Sequence, residues 1–360
     1  MRICYIGDGG SIHNHFMVEW FQRRGHEVLF LTDSPQPAPP CETRQVAPRR
    51  GWGPLRHLWA AYNVRKAVRQ WRPDILHAHN VTGYGYWGAL SGFSPLVLSA
   101  WGSDLILFPQ RNPLIRLAVR KSLERAVWIA ADAEMLCEKA QELAEKPIDA
   151  RLLQWGVELP LFDAPVAPEL RRRFRGDASF VFLSARRLRP LYNIDIILKA
   201  FARALPQLPG ARLVIVGDDE MSAALRELAK QLNVSDSVYF AGWISREELT
   251  AALLSADAFL SVPRSDSTAL SLLEAFAARL PVIVSDLTSN REWIKPNENG
   301  LLVEPGNEPA LSQAMNELAS NREKAMQWGY LNRTIVEERG DREKEMQRLE
   351  GWYEELAGRE

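Results

Sequence analysis

Pro263-Arg-Ser-Asp-Ser-Thr-Ala-Leu-Ser-Leu-Leu-Glu-Ala-Phe-Ala-Ala-Arg-Leu-Pro-Val-Ile-Val-Ser-Asp286 compresses a strand end, a polar turn, an apolar helix and a second strand into one run. The apolar segment Ala258–Val262 runs into it as a strand. Ser265–Thr268 forms the turn, 269–278 the helix, and Val282–Ser285 the next strand. Backbone N–H groups at the start of such a helix suit a phosphate. Glu274 stands between Leu-Ser-Leu-Leu and Ala-Phe-Ala-Ala, where an unpartnered buried carboxylate is costly. Either a diol partners it or the helix exposes that face. Asp266, eight residues earlier, reads equally as an N-cap or as a ligand-facing acid.

The same alternation extends in both directions. Upstream, Phe180–Ser184, Arg212–Val216 and Val238–Ala241 read as strands, with helices over 193–205, 220–232 and 246–255. The first half repeats the pattern with strands at Arg2–Ile6, Glu27–Leu31, Asp74–Ala78, Pro95–Ala100, Val127–Ala130 and Arg151–Gln154. Helices are expected over Ile12–Arg24, over 54–70 with Pro54 in its first turn, and near 113–126. Strands alternating with helices of this length make parallel sheets with crossover helices. The fold class is α/β: two Rossmann-like, doubly wound domains facing across a cleft. The Pro-containing, charged stretch Asp163–Gly176 reads as the linker. Residues 1–165 and 170–340 are the expected domains, with 341–360 a C-terminal helix packing back toward the N-terminal domain. Ligands of such sheets sit beyond the carboxyl ends of the strands.

The 263–286 stretch resembles the donor-site signature of retaining GT-B glycosyltransferases of the family-4, or group 1, type. That family carries a Glu-x7-Glu motif running into LLEA, and here Asp266 and Glu274 occupy the two acidic positions. The shorter Asp leaves the sugar identity open. Arg212-Leu-Val-Ile-Val-Gly-Asp218, Val238-Tyr-Phe-Ala-Gly-Trp-Ile244 and Asn299-Gly-Leu-Leu-Val303 match further family segments in order. The resemblance implies that Glu274 bonds the ribose hydroxyls and Asp266 the transferred sugar. It places the backbone of Ser267, Thr268, Ala269 and Leu270 against diphosphate and sugar, and Trp243 and Ile244 near the base. In Ser184-Ala-Arg-Arg-Leu-Arg-Pro-Leu-Tyr-Asn193 the family carries an Arg and, five residues on, a Lys. Arg187 aligns with the Arg, and Tyr192 stands where the Lys would be. Arg187 is therefore the expected phosphate clamp, with Arg186 or Arg189 as substitutes.

The first half reads as the acceptor side. Gly7-Asp-Gly-Gly-Ser-Ile-His-Asn-His15 lies between strand and helix, without the GxGxxG and acidic ribose reader of a dehydrogenase. By resemblance this loop lines the cleft, with Gly10 and His13 the carried-over residues. His77-Ala-His79 would share one face of an extended segment, yet cleft or hydrogen-bonded histidines are favoured there over a metal site. Where many relatives carry a catalytic His, this chain has Trp101, which cannot act as a base. Trp101 reads either as core packing or as a wall for a sugar ring, with Ser103 or Asp104 providing polar contacts; His79 is a further acceptor-side candidate. No cofactor and no metal are expected.

The mechanism implied is front-side displacement with retention, in which the leaving diphosphate helps deprotonate the acceptor. A UDP-sugar is favoured from family frequency, with a sugar or lipid-linked acceptor. Two rivals share the build: a nucleotide-sugar epimerase, which needs an acid/base set at the sugar, and a nucleotide-sugar-binding protein without transferase activity.

Composition has the balance of an ordinary soluble protein: 46% hydrophobic, 25% charged and a net charge of −1 in 360 residues. Cys4, Cys41 and Cys137 are scattered and odd in number, which argues against a disulfide framework and for a reducing, cytoplasmic setting. The opening MRICYIGDGG lacks the pattern of a signal peptide. Residues 44–125 carry 13 basic and 3 acidic residues. That stretch reads as a solvated face, or as a docking face for an anionic acceptor or for an anionic membrane at its inner face. It carries no nucleic-acid-binding motif, and no nucleic acid is expected as a partner.

Overall fold

The computed structural model of the chain describes residues 1–34, 37–48 and 55–358. They form two units: Met1–Trp155 with Glu343–Glu360, and Gly156–Arg342.

The first unit is built on a seven-stranded parallel sheet of β1 (Arg2–Ile6), β2 (Glu27–Thr32), β3 (Glu42–Gln45), β4 (Ile75–His79), β5 (Leu96–Ala100), β6 (Trp128–Ala131) and β7 (Ala150–Leu152). Their order is β3-β2-β1-β4-β5-β6-β7. The central strands are almost wholly buried, because helices cover both faces of a parallel sheet. Side-chain alternation sorts them into two cores. Cys4, Ile6, Leu76 and Leu98 face one helix layer, and Ile3, Tyr5, Ile75 and Val97 the other. That second layer includes the C-terminal helix Arg342–Ala357, whose Leu349 and Tyr353 are fully buried in it. Tyr353 pairs its hydroxyl with His77 Nδ1 and lies 3.4 Å from the Tyr5 hydroxyl.

The second unit holds a six-stranded parallel sheet: β8 (Phe180–Ala185), β9 (Ala211–Val216), β10 (Val238–Gly242), β11 (Ala258–Ser261), β12 (Val282–Ser285) and β13 (Gly300–Val303). Its order, β10-β9-β8-β11-β12-β13, reverses direction between β8 and β11, the crevice where doubly wound sheets bind ligands. Phe182, Leu213 and Ile283 point to one core, and Val181, Val214 and Phe259 to the other.

Three local readings change. The expected linker Asp163–Gly176 is folded into the second unit. It contains helix Pro168–Phe174, Phe174 is fully buried, and Arg333 holds Asp163 at 2.8 Å. Its charges sit on the outer turns while one aromatic anchors it. Strand β3 is new: Glu-Thr-Arg-Gln pairs only through its backbone with β2 at the sheet edge, where polar side chains are tolerated. The helix expected over 54–70 runs Leu55–Trp71, and Pro54 lies outside the described residues.

Candidate functional site

In the second unit the sequence candidates gather beyond the carboxyl ends of the strands. Arg186 and Arg187 follow β8, Asp219 follows β9, Trp243 and Ile244 follow β10, and the Asp266–Leu270 turn follows β11. The loops approach closely: a Cβ on Gly217, where φ is +127°, would lie 2.2 Å from the Arg186 carbonyl oxygen. Glycine is required there. Asn193, in the left-handed region, donates its amide to Val262 O and accepts from Arg264 Nε, each at 2.9 Å. It staples the arginine loop to the end of β11, a role with no signature in the sequence.

The Asp266 turn is clamped from several sides. Ser289 Oγ donates to Asp266 O at 3.0 Å, and Trp293 Nε1 donates to Thr268 Oγ1 at 3.1 Å. Ser267, Thr268 and Ala269 are buried. The Asp266 side chain does not cap the helix Leu270–Ala277. Instead it accepts from Ser267 N at 3.1 Å and takes Arg186 Nη2 at 2.5 Å.

Glu274 is 8% exposed, and no hydrogen-bond donor among the described residues reaches its carboxylate. Burial pushes it up to about 7, against the opposing charges of Arg246 and Arg342. Arg342 is itself lowered to about 10, chiefly by burial. Arg246 follows the capping Ser245, two residues beyond Trp243 and Ile244, so the end of β10 and Glu274 share one electrostatic neighbourhood. Trp243 is 69% exposed and presents an open aromatic face. A carboxylate in this setting suits a ligand that donates two hydroxyls.

The arginines divide unevenly. Arg187 and Arg189 both place Nε on the same Asp219 oxygen, at 2.9 and 2.7 Å, and remain about half exposed. Those contacts, Arg189's first, hold Asp219 below the usual carboxylate range. Arg186 is the enclosed one, beside Asp266.

In the first unit, His13, Trp101, Trp155 and His79 form one aromatic cluster. Ring centroids are 4.8 Å apart for His13–Trp155, 5.4 Å for Trp101–Trp155 and 6.0 Å for His79–Trp101. Among the described residues, Trp101 Nε1 and His79 Nε2 are buried without a hydrogen-bond partner. Asp104 is fully buried, and its carboxylate accepts Val81 N at 2.7 Å and Trp101 N at 2.9 Å. It braces two strand-end loops, and burial raises it to about 6. Ser103 opens a short helix beside it. Gly10 is exposed and bonded to Asp8 Oδ1 at 3.0 Å. Both nitrogens of His77 are engaged, by Tyr353 and by Ser99 Oγ. Among the described residues no group of three or more His, Cys, Asp or Glu side chains is placed to hold a metal ion. Asn14 and Trp155 complete this cluster and had no motif to announce them.

Comparison with known proteins gives a consistent picture. A family model described as "Glycosyl transferases group 1" matches residues 168–334, and one described as "Glycosyl transferase 4-like" matches 2–133. The alpha-monoglucosyldiacylglycerol synthase of Streptococcus pneumoniae is 25% identical over 284 residues, a match spanning 73% of this chain and 64% of that protein's length. The N-acetyl-alpha-D-glucosaminyl L-malate synthase of Bacillus anthracis is 21% identical, over 97% of this chain and 95% of that protein. Among solved structures, Anabaena HepE in complex with UDP-glucose superposes with a TM-score of 0.81 at 16% identity, covering 98% of each chain. That likeness establishes a shared GT-B fold.

Proposed function

This chain belongs to the group 1 glycosyl transferases, and from that membership we propose a retaining glycosyltransferase. It moves a hexose-type sugar from a nucleotide-sugar donor, a UDP-sugar by preference, to a hydroxyl of a sugar or lipid-linked acceptor. The observation that carries the donor assignment is Glu274: buried, without a hydrogen-bond donor, and raised to about 7. A ribose diol satisfies it with two hydroxyls. Asp266 faces the transferred sugar, and the Ser267–Leu270 backbone and the arginines after β8 face the diphosphate. UDP and UDP-sugar relatives of the same fold support the choice of base.

In this reading the bond from C1 of the donor sugar to the diphosphate oxygen breaks as the acceptor oxygen bonds to C1 on the same face. The acceptor proton passes to the departing diphosphate. The protein orients the donor and stabilises the leaving charge, and neither a nucleophile nor a metal is called on. Trp101, His13 and His79 offer the acceptor a ring-stacking wall with an unengaged N–H and an unengaged nitrogen.

The acceptor side also includes an anionic lipid surface as a partner. Leu55, Leu58, Trp59 and Tyr62 recur at helical spacing and are 47–65% exposed, beside exposed Arg65, Lys66 and Arg69. Leu114 and Leu117 repeat the pattern on helix Pro113–Arg125, with Arg116 and Lys121. Apolar anchors beside basic side chains match a peripheral docking face. No helix among the described residues is long and apolar enough to cross a membrane.

The test is product analysis. Wild-type protein with a UDP-hexose and a panel of sugar and glycolipid acceptors yields an α-glycoside from an α-linked donor. An inverted anomer, an epimerised donor without acceptor, or binding without turnover would each replace this reading.

A further inference from the structure

The family pattern places a lysine where Tyr192 stands, and the arginine that aligns with the family's clamp, Arg187, is half exposed and shares Asp219 with Arg189. A charge exposed to that degree is weakened by solvent, whereas one withdrawn from water acts in a lower dielectric. Arg186 is the withdrawn one: its side chain is 10% exposed. Its Nη2 lies 2.5 Å from Asp266 Oδ2 and its Nη1 3.2 Å from Ser271 Oγ, in the first turn of helix Leu270–Ala277. Its Cζ sits 4.4 Å from the centroid of the Tyr192 ring. The aromatic side chain that replaces the lysine thus seats another cation, by cation–π attraction, on the Asp266 turn itself.

We infer that Arg186, seated on Tyr192, is the residue that reads the second phosphate of the donor, and that Asp266 is its counter-ion in competition with that phosphate. The inference rests on the donor-site reading of Asp266 and Glu274. It adds a coupling: a diphosphate that takes a share of Arg186 loosens the hold of Arg186 on Asp266 and frees that carboxylate for sugar hydroxyls. A nucleoside monophosphate has no second phosphate and leaves the pair closed. Tyr192 is a positioning residue, acting through the guanidinium above it.

The experiment is calorimetric titration of UDP and UMP, and of GDP and GMP, into wild type, Arg186→Gln, Arg187→Gln, Tyr192→Phe, Tyr192→Leu and Asp266→Asn. Unfolding curves check that each variant is folded. The preference for diphosphate over monophosphate falls about tenfold in Arg186→Gln, the scale of one charge-assisted contact. The fall in Arg187→Gln is smaller. Tyr192→Phe keeps the preference and Tyr192→Leu lowers it. Asp266→Asn binds the diphosphate at least as tightly as wild type, because the competing charge is gone. Nucleotide binding in which Arg186→Gln keeps the wild-type preference, or Arg187→Gln loses as much, overturns this inference and leaves the donor site standing. Absence of nucleotide binding by the wild type overturns the donor site as well.

Discussion

Asn14 fixes the tautomer of His79. The Asn14 amide nitrogen donates to Asp8 O at 2.7 Å, so its oxygen faces His79 Nδ1 and must accept from it. The proton is then on Nδ1, and Nε2 is a buried acceptor with no partner among the described residues. Burial, with a contribution from His13, holds the imidazole down to about 3, so it is neutral at physiological pH.

Replacing Asn14 by Leu strands the His79 N–H. A buried donor left unsatisfied costs about 1–3 kcal/mol, and urea unfolding measures the loss. His79 is depressed relative to the unfolded chain, so its contribution to stability is complete above the ordinary histidine range and is lost as pH falls toward about 3. NMR titration of the imidazole carbons down to pH 5 therefore leaves the His79 resonance unshifted. A His79 midpoint near 6.5, the ordinary histidine value, would refute the buried neutral assignment.

Glu274 predicts the opposite dependence for stability, and a rise with pH for binding. Its carboxyl is raised to about 7, so stability from the neutral form is present at low pH and declines as pH rises through that value. The ionised form is the better acceptor for two ribose hydroxyls. Nucleoside diphosphate affinity should rise as pH increases through about 7, and that rise should be absent in Glu274→Gln. Parallel pH profiles for the two proteins would count against Glu274 as the ribose reader.

Lipid docking is tested by flotation. Wild type floats with phosphatidylglycerol vesicles at low salt, is released as salt screens the attraction, and ignores phosphatidylcholine vesicles. Leu58→Glu with Tyr62→Glu abolishes flotation and leaves the unfolding midpoint close to wild type, because both side chains are more than 60% exposed. Recovery of wild type in the soluble fraction with anionic vesicles would rule out the lipid surface.

Much of the fold was legible because buried parallel strands leave near-continuous apolar runs. Glu274 stood out because an acid in an apolar helix is conspicuous, whereas Asp266, in the polar turn before that helix, stood out only through its spacing from Glu274 in the family motif. Strand β3 left no such run, since its pairing is purely backbone at an edge. The choice between Arg186 and Arg187 was not readable for a geometric reason. Adjacent residues leaving a strand point to opposite sides, so a shift of one position exchanges the enclosed guanidinium for the exposed one. Asn14, Trp155 and Asn193 act through contacts across long stretches of sequence, which no local pattern encodes.

The most direct measurement is thermal unfolding of wild type and Glu274→Ala with UDP, GDP, ADP, NAD and their sugar conjugates. A ligand at a hundred times its dissociation constant stabilises by about 2.7 kcal/mol, enough to move the midpoint by a few degrees. The account predicts a shift with the uridine compounds in wild type that is lost in Glu274→Ala. An equal shift in both proteins, or none with any nucleotide sugar, would contradict it.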